Sequence, residues 1–115
     1  MKNQSIKAGL IAAALLGGCA TLPVPTGNME NSLGTIRAAE EVGAANLPQA
    51  KLHLQLAKEQ TAGARELLAK EETDMAGFLL MRAEADGQLA LALAHENTAR
   101  ADAKTAADKL NQPNN

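Results

Sequence analysis

The amino-acid sequence predicts an all-α fold, in which two long helices form an antiparallel hairpin and a shorter helix precedes them. Alanine, the residue with the best intrinsic helix propensity, dominates the composition. Residues that favour strands are scarce, since aromatic residues make up only 1% of the chain. Apolar positions in the second half recur at alternating spacings of three and four, a pattern typical of coiled-coil helices.

The first 18 residues have the layout of an export signal. Two lysines make the start positive, an apolar run follows over residues 8–16, and two glycines precede Cys19. The run is far shorter than the roughly 20 residues that span a bilayer. A positive start, a short apolar core and small residues before a cut predict a signal peptide over residues 1–18.

The segment Leu16–Cys19, Leu-Gly-Gly-Cys, resembles the lipobox of bacterial lipoproteins. In that family a diacylglycerol is attached to the cysteine sulfur, and a peptidase cuts before the cysteine. The resemblance implies lipidation of Cys19, cleavage between Gly18 and Cys19, and attachment to a membrane through the lipid. Ala20 follows, and the lack of Asp there implies an outer-membrane, periplasm-facing location in a Gram-negative host. An ordinary secretory signal with an incidental cysteine is the alternative.

Residues 19–27 form the predicted lipidated start and tether, because two prolines in this stretch disfavour a helix. A first helix is predicted over residues 29–42. Asn28 is its expected N-cap, and Gly43 suits the left-handed position beyond its end.

The second helix is predicted over residues 48–70. Asn46 and Gln49 are placed to form a capping box around Pro48 at the first helical position. The predicted buried stripe of this helix is Leu47, Ala50, Leu54, Ala57, Thr61, Ala64 and Leu68.

The third helix is predicted over residues 74–110 with Thr73 as its N-cap, before a polar tail at 111–115. Folding near residue 72 is expected to bring Leu68 beside Phe78. The first helix is expected to cover part of the third beyond residue 98. The predicted buried stripe of the third helix is Phe78, Arg82, Ala85, Leu89, Ala92, Glu96, Ala99, Ala103, Ala106 and Leu110.

Residues 28–110 thus form one alanine-rich helical domain with coiled-coil-like packing. Small seam residues bury little area each, so the sequence predicts marginal stability as a monomer or association of copies through an exposed seam. The body resembles the domain-of-unknown-function family numbered 4398. Three stretches carry the resemblance: Arg37–Glu40, Leu47–Lys58 and Arg82–Ala92. It implies an alanine-rich helical domain behind a lipoprotein signal, with no assigned catalytic residues.

The sequence offers little catalytic or ligand chemistry. His53 and His95 are interpreted as solvated residues flanking the hairpin, because metal sites need more ligands at defined spacing. Arg82 and Glu96 are expected at a wet seam edge, with a register-fixing contact as the alternative. We expect no catalytic residue, metal or cofactor. Without the two signal lysines, nine basic residues stand against 13 acidic ones, a net charge of −4 that does not suit nucleic acid.

These observations predict a non-enzymatic envelope lipoprotein that binds another envelope protein or a second copy of itself. A structural spacer like the murein lipoprotein, or an oligomeric envelope-stabilising coiled coil, is the alternative. Met75, Phe78 and Met81 near the hairpin turn are expected to close the end of the hairpin. A small patch for a partner is the other interpretation of these three residues.

Overall fold

The computed structural model describes residues 26–112, and this range is all helical apart from its turns. Its elements are α1 (Thr26–Glu41), a 3₁₀ turn (Ala44–Asn46), α2 (Pro48–Ala69) and α3 (Thr73–Leu110). The helices α2 and α3 form an antiparallel hairpin, and α1 packs chiefly against α3. The predicted all-α hairpin with a shorter first helix is therefore confirmed.

The connection between α1 and α2 turns on Gly43, as predicted. Its φ of 81° is the left-handed conformation that glycine adopts without steric cost. The predicted caps nearby are wrong. Helix α1 already begins at Thr26, so Asn28 lies inside it, and Leu47 rather than Asn46 is the N-cap of α2. Asn46 ends the 3₁₀ turn instead.

The hairpin turn is a tight Schellman motif that places Glu71 in the left-handed region, with a φ of 62°. The Glu72 N–H donates to the Leu67 carbonyl at 2.9 Å, and the Glu71 N–H donates to the Leu68 carbonyl at 3.1 Å. Glu72 is then the N-cap of α3, so the prediction of Thr73 as the cap is wrong by one residue.

The buried stripe predicted for α2 is confirmed. Its five central members are buried, and Leu47 and Leu68 at its two ends are half-buried. The apolar side chains packed between the helices form two clusters. The cluster nearer the hairpin turn contains Ala64, Ala76 and Leu80. The larger cluster, near the start of α2, contains Ile36, Ala39, Ala44, Ala50, Leu54, Ala57, Ala90 and Ala94.

The buried stripe predicted for α3 is wrong, because every one of its members is exposed. Leu68 therefore does not meet Phe78. The buried residues lie two positions earlier in each case, which is about 200° around the helix. They carry small side chains apart from one leucine, so α1 and α2 approach closely, and the charges of the predicted stripe stay in water. These residues are Ala76, Leu80, Ala83, Gly87, Ala90 and Ala94.

The last part of α3 extends beyond the other two helices. All residues from His95 to Gln112 are exposed, and the helical part of this stretch, residues 95–110, is about 24 Å long. We call residues 95–110 the free end. The expectation that α1 covers part of it is wrong, because the chain turns back at Gly43 and enters α2 level with the last buried residue of α3, Ala94.

Candidate functional site

The predicted lipid site lies outside the described residues. This holds for the signal peptide, for Gly18 and Cys19, and for most of the tether, so their assignments stay predictions. Within residues 26–112, no helix combines the length and the apolar character needed to cross a bilayer.

A polar cluster joins α2 to α3 in the middle of the hairpin. The His53 Nδ1 and an Asp86 carboxylate oxygen are 2.8 Å apart, and the Gln60 amide donates to the other Asp86 oxygen at 2.8 Å. The His53 and Asp86 side chains are only 26% and 20% exposed. The Gln60 Oε1 is buried without a hydrogen-bond partner. Both oxygens of one carboxylate are thus used to tie two turns of α2 to α3.

This cluster corrects the interpretation of the histidines. His95 is exposed as predicted, but His53 is half-buried and bonded to Asp86. The contact between His53 and Asp86 depends on where the hairpin turns, since a fold placed near residue 70 instead of residue 72 brings Asp86 beside His53. Among the described residues, no three His, Cys, Asp or Glu side chains converge to hold a metal ion.

Helix α1 is attached to α3 through a buried serine. The Ser32 hydroxyl lies 2.7 Å from the Asn28 carbonyl and 2.9 Å from the Leu80 carbonyl of α3. One turn further along α1 and two turns further along α3, an added Cβ at Gly87 would lie 2.3 Å from the Thr35 hydroxyl. Because the residue numbers at the two close approaches increase together in both helices, α1 runs parallel to α3.

Several ion pairs lie on the surface of the described helices. Arg100 and Glu96, which are four residues apart on α3, are in contact at 2.5 Å. Glu66 and Lys70, and Arg37 and Glu41, have the same spacing and opposite charges, but they form no ion pair in the part of the chain that the structure describes. Lys58 of α2 instead contacts Glu40 of α1.

The outward face of α3 is an exposed stripe that runs along most of the helix. We use this name for the ten residues that were predicted to be buried, from Phe78 to Leu110. Phe78 is 63% exposed and Leu89 is 43% exposed, although both are large apolar side chains. Met75 and Met81 beside Phe78 are also exposed, so the expectation that these three close the hairpin end is wrong.

No protein-family model, curated protein or solved structure matches this chain. Residues 26–112 form a three-helix module packed through alanines, and the outward face of α3 is not covered by any other part of that range. The resemblances to bacterial lipoproteins and to the family numbered 4398 stay predictions.

Proposed function

We propose that this protein is a lipid-anchored, non-enzymatic module of the bacterial cell envelope that acts by binding another protein chain. The observation that carries the proposal is the segment Leu16–Cys19, whose single cysteine follows a short apolar run and two glycines. Two or three acyl chains on such a cysteine would hold the module firmly, since each buried CH₂ contributes about 0.8 kcal/mol.

The helical body supports a binding role over a catalytic one. The polar cluster of His53, Gln60 and Asp86 is satisfied mainly by contacts between α2 and α3, which makes it an interhelical tie. The outward face of α3, in contrast, exposes large apolar side chains that no other part of the described chain covers. The tight turn at Glu71 folds the chain back on itself, which favours a short module over a continuous helical spacer.

Metabolic labelling with a fatty-acid analogue tests the anchor. The natural chain should incorporate the label and fractionate with membranes, whereas Cys19→Ala should lose the label and keep the mobility of the uncut precursor. Thr21→Ala, next to the site, is the matched control and should behave as the natural chain does.

An uncut signal peptide could itself hold the Cys19→Ala variant in membranes. A second variant therefore combines Cys19→Ala with an ordinary secretory signal in place of residues 1–18, and it should be released into the periplasm. A released variant supports the lipid anchor. Retention of this variant in membranes would contradict it.

The proposed outer-membrane location has its own test. By resemblance to Gram-negative lipoproteins, Ala20→Asp should move the protein to the inner membrane, and Ala20→Asn serves as the uncharged control. The two membranes are separated on a density gradient and probed for the protein. An unchanged distribution of Ala20→Asp would contradict sorting by this position.

A further inference from the structure

The outward face of α3 has the regularity of a helix-pairing surface. Its members recur at alternating spacings of four and three from Phe78 to Leu110, across both the packed part of α3 and the free end. Such spacing keeps one stripe facing one partner helix over a long distance. The other face of α3 already packs against α1 and α2, so a partner on the outward face would meet no obstruction from them.

We propose that a second copy of this chain covers the outward face, with the two α3 helices antiparallel and Leu89 of each copy level with Ala92 of the other. This inference deepens the proposed function, on which it rests, by naming the partner of the module. The symmetry axis passes between residues 90 and 91. The free end of each copy then lies along the packed part of the other copy's α3.

The sizes of the facing side chains support this register. Phe78 lies level with Ala103 of the second copy, Arg82 with Ala99, and Glu96 with Ala85. Each layer thus pairs one long side chain with one alanine, as knobs and holes require. The proposal also accounts for the exposure of the free end, because its alanines receive the large side chains that the packed part exposes.

Charge supports the same register. Arg82 and Glu96 of the second copy lie on the same side of the interface within one turn, and the symmetry repeats the contact. A shift by seven residues in one direction sets Phe78 level with Glu96, which would desolvate a carboxylate against an aromatic ring. A shift in the other direction crowds Phe78 against Leu110 and leaves Arg82 without an acidic stripe residue within a turn.

Disulfide crosslinking in intact cells tests the proposal on the chain in its natural setting. Leu89→Cys places two thiols beside the axis, and a membrane-permeable thiol oxidant should link most of the protein into dimers. Ala106→Cys is the matched control. Two cysteines at this position would be about 45 Å apart in the antiparallel pair, so they should not link. The natural chain with Cys19 alone gives the background.

Charge reversal in the Leu89→Cys chain tests the register. Arg82→Glu should lower the dimer fraction, with association weakened about tenfold, because two attractive contacts become repulsive. Adding Glu96→Arg should restore the dimer fraction to near its starting value. Arg65→Glu, an exposed reversal on α2, should leave it unchanged.

Three results would overturn the proposal. Equal linking of Ala106→Cys would mean parallel or unspecific association. A Leu89→Cys thiol that reacts with a maleimide but forms no dimer would mean that nothing like a second copy covers it. Failure of Glu96→Arg to rescue Arg82→Glu would exclude this register. None of these results touches the fatty-acid labelling of Cys19, so the two proposals fail separately.

Discussion

The two parts of α3 carry the same alanine spacing and reach opposite outcomes. From Thr73 to Ala94 the helix buries one side against α1 and α2, whereas from His95 to Leu110 it buries none. The difference depends on the neighbouring helices. Helix α1 ends and helix α2 begins level with Ala94, so neither of them lies beside the free end. Alanine at regular spacing therefore permits close packing but does not by itself produce it.

The free end is held as a helix by local interactions. Arg100 and Glu96, and Lys104 and Asp108, pair four residues apart, and each such pair is worth about 0.2–0.5 kcal/mol. Alanine's intrinsic propensity supplies the rest. The packed part depends instead on buried contacts between helices, so the same substitution should have very different effects in the two parts.

The largest difference should come from removing a leucine. Leu80 is fully buried against α1 and α2, so Leu80→Ala should lower the free energy of unfolding by about 3 kcal/mol through lost burial and a cavity. Leu110 is 87% exposed at the end of the free end, and Leu110→Ala should cost less than about 0.5 kcal/mol. Urea unfolding followed by circular dichroism measures both. Equal losses would mean that the free end is packed in solution.

Replacing glycine with alanine should have opposite effects on stability at a crowded position and at an open one. A Cβ at Gly87 would lie 2.3 Å from the Thr35 hydroxyl and 2.9 Å from its Cβ, so Gly87→Ala must push α1 away. The expected net cost is about 1–2 kcal/mol, after the better helix propensity of alanine is counted. At Gly34 a Cβ meets nothing within 4 Å, and Gly34→Ala should stabilise by up to about 1 kcal/mol. Thermal unfolding compares them, and stabilisation by both would show that α1 is loosely attached.

The sequence was sufficient to predict the three helices, but it was not sufficient to predict which side of α3 faces the other two. The stripe of α2 contains three of its leucines, Leu47, Leu54 and Leu68, although Leu52 lies outside it and is exposed. Gly43 and Pro48 mark the start of α2. Helix α3 has alanine on several faces, and two stripes displaced by two residues both alternate at three and four. The choice between the two stripes depends on the turn between α2 and α3. There Glu71 adopts a left-handed conformation, which is not expected for glutamate.

The polar cluster could not be found for the same reason. The contact between His53 and Asp86 crosses the hairpin, so locating it needs the register of α2 against α3. An error of two residues moves Asp86 to another face of the helix. Side-chain partners across a hairpin therefore become predictable only after the turn is known.

Removing a carboxylate from each part of α3 should give a smaller difference in stability than removing a leucine. Asp86→Ala removes the acceptor of both the His53 ring and the Gln60 amide, and it should cost about 1–2 kcal/mol. Asp102→Ala in the exposed free end should change stability by less than about 0.5 kcal/mol. Urea unfolding at neutral pH measures the difference. If Asp86→Ala left the free energy of unfolding unchanged, water would replace the contacts between α2 and α3 at no cost.

Removing most of the free end should have the smallest effect on the fold and a large effect on association. In a chain that ends at Asn97, all the buried residues of α1, α2 and α3 are retained, because residues 98–112 are exposed throughout. The free energy of unfolding of the monomer should therefore stay within about 0.5 kcal/mol of that of the full chain.

The same truncation removes Ala99 and Ala103, which receive Arg82 and Phe78 in the proposed pair. Leu89→Cys in the shortened chain should then give little disulfide-linked dimer, although its thiol remains as exposed as before. If the shortened chain lost stability but still formed disulfide-linked dimers, the free end would serve folding and not association, which contradicts the roles assigned to the two parts of α3. Loss of linking alone means that the packed part builds the module and that the free end exists to join two modules.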